Sequence, residues 1–181
     1  ISTGIGGGVI ENGQLLLGHQ GLATEIGHIS VMPNGPVCSC GIPGHLEALA
    51  SGTAIARYVS EQLAAGVPSS LGQIVSPTAR DVSQAAEQGD PLAISALARA
   101  GTYLGHAIAV LLHLYNPQIV ILGGGVSRSG MHFMEPVSSS VAERVMSKEY
   151  LHGLVITTAA LGDDAGLMGA LALARSLDEK P

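Results

Sequence analysis

Tryptophan is absent from the 181 residues, phenylalanine occurs once and tyrosine four times. Lysine and arginine number 8 against 14 acidic residues, for a formal net charge of -6. A nucleic-acid-binding surface needs a cationic footprint and, for single strands, rings to stack on. This chain has neither, so direct nucleic-acid binding by it is not expected. Charged residues make up 12%, about half of the usual ~25%, while hydrophobic residues reach 46%. Such a chain can bury a real core and is not a disordered tail.

Cysteine is also scarce: Cys38 and Cys40 are the two present. Residues so close seldom meet disulfide geometry, and the pair instead suggests thiolate metal ligands in a reducing, cytoplasmic setting. Long hydrophobic runs are missing too. The longest uncharged stretch, Ala100 to Ser127, is broken by His106, His113 and Asn116-Pro117, so no membrane span is expected. No signal peptide or lipidation motif opens the chain, and Ile1 stands where a start methionine would, so a piece of a longer protein is expected.

Glycine, with 25 residues, is about twice its usual frequency. Asn12-Gly13 between Val9-Ile10 and Gln14 to Leu17 predicts a hairpin, because a type I′ turn needs positive φ at both central residues. Ile29 to Met32 reads as a third short strand. Residues Ala54 to Ala65 read as a helix stopped by Gly66. Thr78-Ala79-Arg80-Asp81 fits a capping box for a helix ending near Gly89. Asp90-Pro91 starts a helix whose apolar residues cover nearly every face as far as Tyr115, which predicts a central, buried helix. Ile119 to Leu122 reads as a buried strand, residues Glu135 to Met146 as a helix, and Leu154 to Ala160 as a strand. Gly162-Asp163-Asp164 caps a last helix reaching about Ser176. The whole is a mixed α/β sheet with helices packed on it.

Four motifs carry chemistry. In Ser2-Thr3-Gly4-Ile5-Gly6-Gly7-Gly8 the spacing is neither a dinucleotide fingerprint nor a P-loop. Its backbone N–H groups and the Thr3 hydroxyl could approach phosphate oxygens, or the segment could be a tight hairpin packed on another backbone. Gly123-Gly124-Gly125 ends a strand at the edge where α/β sheets bind ligands, or makes an ordinary strand-to-helix turn. His28, Cys38, Cys40 and His45 offer two imidazoles and two thiolates within one turn-rich loop of about residues 28–45, which suits tetrahedral Zn²⁺. Glu25 and Glu47 flank that loop. They are either acceptors for sugar hydroxyls, with His28 helping through its second ring nitrogen, or surface carboxylates, with Glu47 opening a helix.

In this order the motifs resemble the carboxyl-terminal part of ROK-family proteins, bacterial sugar kinases and sugar-responsive repressors. The resemblance rests on the Gly-rich segment, the Glu25-Ile26-Gly27-His28 box and Cys38-Ser39-Cys40-Gly41 through Gly44-His45-Leu46-Glu47. It extends over Asn116-Pro117 to Gly125 and over Leu161-Gly162-Asp163-Asp164-Ala165-Gly166. It implies a ribonuclease-H-like lobe of the actin-like ATPase fold, here residues 1–181, with an inserted zinc-binding loop and the amino-terminal lobe absent. By resemblance, Glu25, His28 and Glu47 would hold sugar hydroxyls, and His28, Cys38, Cys40 and His45 would hold zinc. Thr3 and Gly4 would meet the phosphates of ATP, accompanied by Mg²⁺, and Gly123, Gly124 and Gly125 the adenosine.

The implied reaction is γ-phosphoryl transfer to a hydroxyl, usually the 6-hydroxyl, of a hexose or N-acylhexosamine by a homodimeric, cytoplasmic kinase. A sugar-sensing repressor lobe is the alternative, disfavoured because repressors tend to lose the full Gly-rich loop. Two positions depart from the family: His45 replaces its usual third cysteine, and Thr24 stands where many relatives have glycine, a change expected to alter sugar preference. The family's catalytic aspartate belongs to an Asn-Asp pair in the other lobe, and no such pair occurs here. The chain alone is therefore expected to be inactive.

Overall fold

The computed structural model describes residues 1–178. Strands β1 (Ile10–Glu11) and β2 (Gln14–Leu15) form the expected antiparallel hairpin. Its turn residues Asn12 (φ 51°) and Gly13 (φ 78°) are both left-handed, as a type I′ turn demands.

Beyond the metal loop, helix α1 (Glu47–Ala50) meets α2 (Gly52–Ala64) at Ser51, whose side chain accepts from the Ala54 N–H and caps α2. Helix α3 (Ala79–Glu87) has the predicted capping box: Thr78 Oγ1 accepts from the Asp81 N–H, and Asp81 accepts from the Thr78 N–H. Asp90, with Pro91 behind it, caps α4 (Pro91–Tyr115), and left-handed Asn116 (φ 44°) ends it. Strand β3 (Ile119–Leu122) pairs in parallel with β4 (Val155–Thr158) across helix α5 (Met131–Arg144). Helix α6 (Ala165–Asp178) follows a 3-10 turn at Gly162–Asp164, the segment expected to cap it.

Helix α4 is the axis of the core. Its own Leu97, Ile108 and Leu112 are met by Val59 of α2, Val82 of α3 and Phe133 and Val137 of α5, all fully buried. Fully burying such a side chain stabilises by about 1.5–3 kcal/mol. Helix α5 comes close because Gly101 and Gly105 of α4 leave no side chain in its way; a Cβ at either would meet the Phe133 or Val137 carbonyl. By length and composition α4 could cross a membrane, but half of its most apolar window is buried inside the protein.

Four expectations need correction. The strands do not share one mixed sheet: among the described residues β1 with β2 and β3 with β4 form two separate two-stranded sheets. Ile29 to Met32 is no strand: it makes one bridge, Ser30 to His45, because the chain curls back at once through Gly44 and leaves nothing further to pair with. Strand β3 is not buried on both faces. Ile119 and Ile121 are 48% and 59% exposed, since among the described residues β3 has β4 as its single partner strand. Helix α4 is buried along its length but not all round, with Val110, Leu114 and Tyr115 exposed near its end.

Candidate active site

The metal loop is built by its turns. After a 3-10 turn at Ile26–His28, left-handed Asn34 and the Ser30–His45 and Val37–Pro43 bridges fold residues 30–45 into a closed knuckle. At its tip the Cys38 N–H donates to the Ile42 carbonyl (3.0 Å) and the Gly41 N–H to the Cys38 carbonyl (2.9 Å). His28, Cys38, Cys40 and His45 converge, with one ligand atom from each within 4.8 Å of all the others. Cys38 Sγ lies 3.7 Å from His28 Nδ1, and Cys40 Sγ lies 3.2 Å from His45 Nδ1. Usual zinc bond lengths make a tetrahedral S···N edge about 3.6 Å. Soft thiolates, imidazoles and this spacing therefore fit Zn²⁺. Burial pushes the Cys38 thiol up, but the Cys40 backbone N–H and the His45, Ser39 and Cys40 side chains pull it down to about 6. Thiolate is the form that binds metal.

The loop holds Glu47. Ser39 Oγ donates to Glu47 Oε1 at 3.0 Å, and the Ile5 N–H donates to Glu47 Oε2 at 2.9 Å. The Ile5 hydrogen bond, helped by Ser39 and the nearby His28 and Cys38 and opposed by burial, holds the Glu47 carboxyl below its ordinary range. Two glycines follow from this packing. A Cβ at Gly4 would collide with Glu47 Oε2, and one at Gly27 would collide with the Ile5 carbonyl. The glycine of the Glu25-to-His28 box is thus the seat on which the Gly-rich segment lies.

Glu25 sits differently. It precedes the 3-10 turn, is exposed, and its carboxylate makes no hydrogen bond or ion pair among the described residues. Thr24 beside it has φ +67°, an unfavourable conformation for a β-branched residue. Its Oγ1 donates to the Gly7 carbonyl at 3.2 Å.

The Gly-rich segment also borders a cleft of about 880 Å³, ample for a nucleotide. Ser2 and Thr3 form one wall, Gly52 and Thr53 of α2 a second, and Gly125, Val126, Arg128 and Ser129 a third. Thr53 Oγ1 donates to the Thr3 carbonyl (2.7 Å) and the Gly52 N–H to the Ser2 carbonyl (2.7 Å), which fixes the Gly-rich backbone to α2. The fourth wall is the polar face of α3, with Arg80, Ser83, Gln84 and Glu87 at helical spacing.

Of the nucleotide residues named from sequence, Thr3 and Gly125 line this cleft together. Gly4 lies one residue away against Glu47. Gly123 and Gly124 are behind the wall, where the Ile1 nitrogen donates to the Gly123 carbonyl at 2.6 Å and the Ile1 carbonyl faces Gly124. Glu25, His28 and Glu47 do not line the cleft; Glu47 meets the Gly-rich segment at the Ile5 N–H. Sequence reasoning missed the α3 face, Arg128 and Ser39. The 80-83-84-87 spacing was a readable signal, though it reads equally as a solvent-facing stripe.

The model of the ROK family matches residues 1–177. A glucokinase from Thermotoga maritima is 38% identical over 177 residues, 96% of this chain and 56% of that protein. The crystal structure of a ROK family glucokinase from Streptomyces griseus, in complex with glucose and AMPPNP, superposes with a TM-score of 0.85 at 36% identity. It covers 97% of this chain and 59% of that one. The N-acetylglucosamine repressor of Escherichia coli O157:H7 is 31% identical over 97% of this chain and 42% of its own length. The chain spans about half the length of the curated relatives it matches.

Proposed function

The chain belongs to the ROK family and has its actin-like ATPase fold, and from that premise we propose that it is the carboxyl-terminal, ATP- and sugar-binding lobe of an ATP-dependent hexose kinase. One observation carries this reading. Thr3 lines the cleft, and the next residue, Gly4, is seated on the Glu47 carboxylate, so a nucleotide-sized cleft and an acidic site share one short backbone. A γ-phosphoryl group on the Thr3 side and a sugar hydroxyl on the Glu47 side would be neighbours, the juxtaposition that in-line transfer needs.

Glu47 and Glu25 would accept hydrogen bonds from sugar hydroxyls, and His28, with one ring nitrogen on zinc, would donate its other N–H to a sugar oxygen, so that the three hold the acceptor. Thr3, Gly4 and the residue 123–125 turn would take the phosphates and adenosine, with Arg80 and Arg128 adding positive charge to the cleft. His28, Cys38, Cys40 and His45 would hold structural zinc, and Mg²⁺ accompanying ATP supplies charge neutralisation. In transfer, the sugar oxygen (the 6-hydroxyl in the glucokinase-like reading) loses its proton to a base as it bonds to the γ-phosphorus, and the bond to the β-phosphate bridging oxygen breaks to leave ADP. That base is absent from this chain by motif, so we place it in an amino-terminal lobe and expect residues 1–181 alone to be inactive. That lobe would close the open side of the sugar site. It and a second copy of the protein would cover the exposed apolar residues of α4 and α6, such as Leu114 (67%) and Leu167 (73%).

A coupled assay of the full-length protein with ATP and glucose tests the reading, with ATP-dependent formation of a sugar phosphate expected. A full-length protein that binds glucose, phosphorylates no hexose and carries a helix-turn-helix would favour the repressor reading, which the E. coli relative keeps in view.

A further inference from the structure

Ser39 stands between the two cysteines of the metal loop, 3.8 Å from Cys38 Sγ, and is neither one of the four metal ligands nor one of the sugar contacts named above. Its side chain is exposed, and its hydroxyl donates to Glu47 Oε1 at 3.0 Å. The other oxygen of the same carboxylate accepts from the Ile5 N–H at 2.9 Å. The last torsion of a glutamate is broad and does not by itself fix the plane of its oxygens. One donor anchors one oxygen and leaves the plane free to turn. Two donors from opposite sides, one on the metal loop and one on the Gly-rich segment, fix it.

Each carboxylate oxygen has about two acceptor positions. One is used on each side. Cys38 Sγ also lies 3.9 Å from Glu47 Oε1, but as a metal-bound thiolate it would have no proton to give there, so Glu47 keeps a second position on Oε1, oriented by Ser39. We propose that Ser39 is a positioning residue for sugar recognition: through Oε1 it sets the plane of the Glu47 carboxylate so that the remaining acceptor position meets one sugar hydroxyl. On this view the metal loop contributes the hydroxyl that aims the acid as well as the scaffold that carries it. The proposal rests on the sugar-binding reading of Glu47 and deepens it.

The test uses the full-length protein, with steady-state kinetics in ATP and glucose and zinc content by elemental analysis. Ser39→Ala should raise the glucose KM about tenfold, the scale of one lost hydrogen bond. The ATP KM and kcat should stay within about twofold, with one zinc per chain retained. Ser39→Thr, which restores a hydroxyl, should return the glucose KM to within about twofold of the parent. A merely structural role would move zinc content or all kinetic constants together. An unchanged glucose KM in Ser39→Ala, while Glu47→Gln raises it, overturns the proposal and leaves the sugar reading standing. Loss of zinc in Ser39→Ala, or no rescue by threonine, also overturns it. A Glu47→Gln enzyme with an unaltered glucose KM overturns the sugar reading itself.

Discussion

The backbone N–H of Ile5 donates to Glu47 Oε2 at 2.9 Å across 42 residues of chain. That bond ties the Gly-rich segment to the start of α1 and, through the Ser39–Glu47 bond, to the metal loop, and it explains why position 4 carries no side chain. Gly4→Ala is expected to push the carboxylate away and break the bond, lowering stability by about 1–3 kcal/mol. In the full-length protein the variant should weaken glucose and ATP together, because both sites rest on this contact. Urea melts and steady-state kinetics measure the two effects.

His45 is 6% exposed and faces Cys40 across 3.2 Å. Imidazole and thiolate both suit a tetrahedral zinc site, so His45→Cys should keep one zinc per chain. His45→Ala should lose the metal and cost roughly 3 kcal/mol or more, about 10 °C in Tm for a chain of this size. Elemental analysis with calorimetric melting decides it, and retained zinc in His45→Ala would show that His45 is not a ligand.

Thr24 has a left-handed backbone (φ +67°) that a β-branched residue adopts at a cost of about 1–2 kcal/mol. Its hydroxyl bond to the Gly7 carbonyl recovers part of this. Thr24→Gly is expected to stabilise the protein by about 1 kcal/mol, read from the urea midpoint. Because Glu25 is the next residue and has no partner to hold it, the same variant should also shift the ratio of KM values among hexoses.

Asp90 is buried at 8% exposure, and its oxygens accept from the Ala93 N–H, the Ser70 N–H and hydroxyl, and the Ser69 hydroxyl. Burial pushes its carboxyl up, but those donors prevail and hold it at about 2, below the ordinary 3.8. A depressed carboxyl stabilises the folded chain fully above about pH 4, and that contribution is lost as pH falls through about 2. Asp90→Asn should therefore cost about 2 kcal/mol near neutrality. Its denaturation curve and the parent's should converge as pH drops toward 2.

Local chemistry was legible wherever a residue type has one structural use. Asn12-Gly13, the Thr78–Asp81 box, Asp90-Pro91 and Asn116 each sit in the turn or cap their side chains predict. The four candidate metal ligands, two histidines and two cysteines, cluster as their spacing in a turn-rich loop implied. What depends on distant neighbours was not legible. Ile119 and Ile121 have the β-branched pattern of a buried strand, yet burial is decided by what packs over the strand, and one face has little on it. Ile29 to Met32 has strand propensity but only a tight knuckle to pair with. The α3 wall of the cleft and the Ser39–Glu47 bond arise from tertiary packing alone; a polar helix stripe and an exposed serine carry no local mark of a site.

Glucose titrated calorimetrically into the full-length protein, first as isolated, then stripped of metal, then resupplied with one equivalent of Zn²⁺, tests whether the metal-folded loop aims Glu47 at a sugar. The account predicts binding that disappears with the metal and returns with Zn²⁺ but not with Mg²⁺. Undiminished glucose affinity in metal-free protein with both Cys38 and Cys40 thiols free would contradict it.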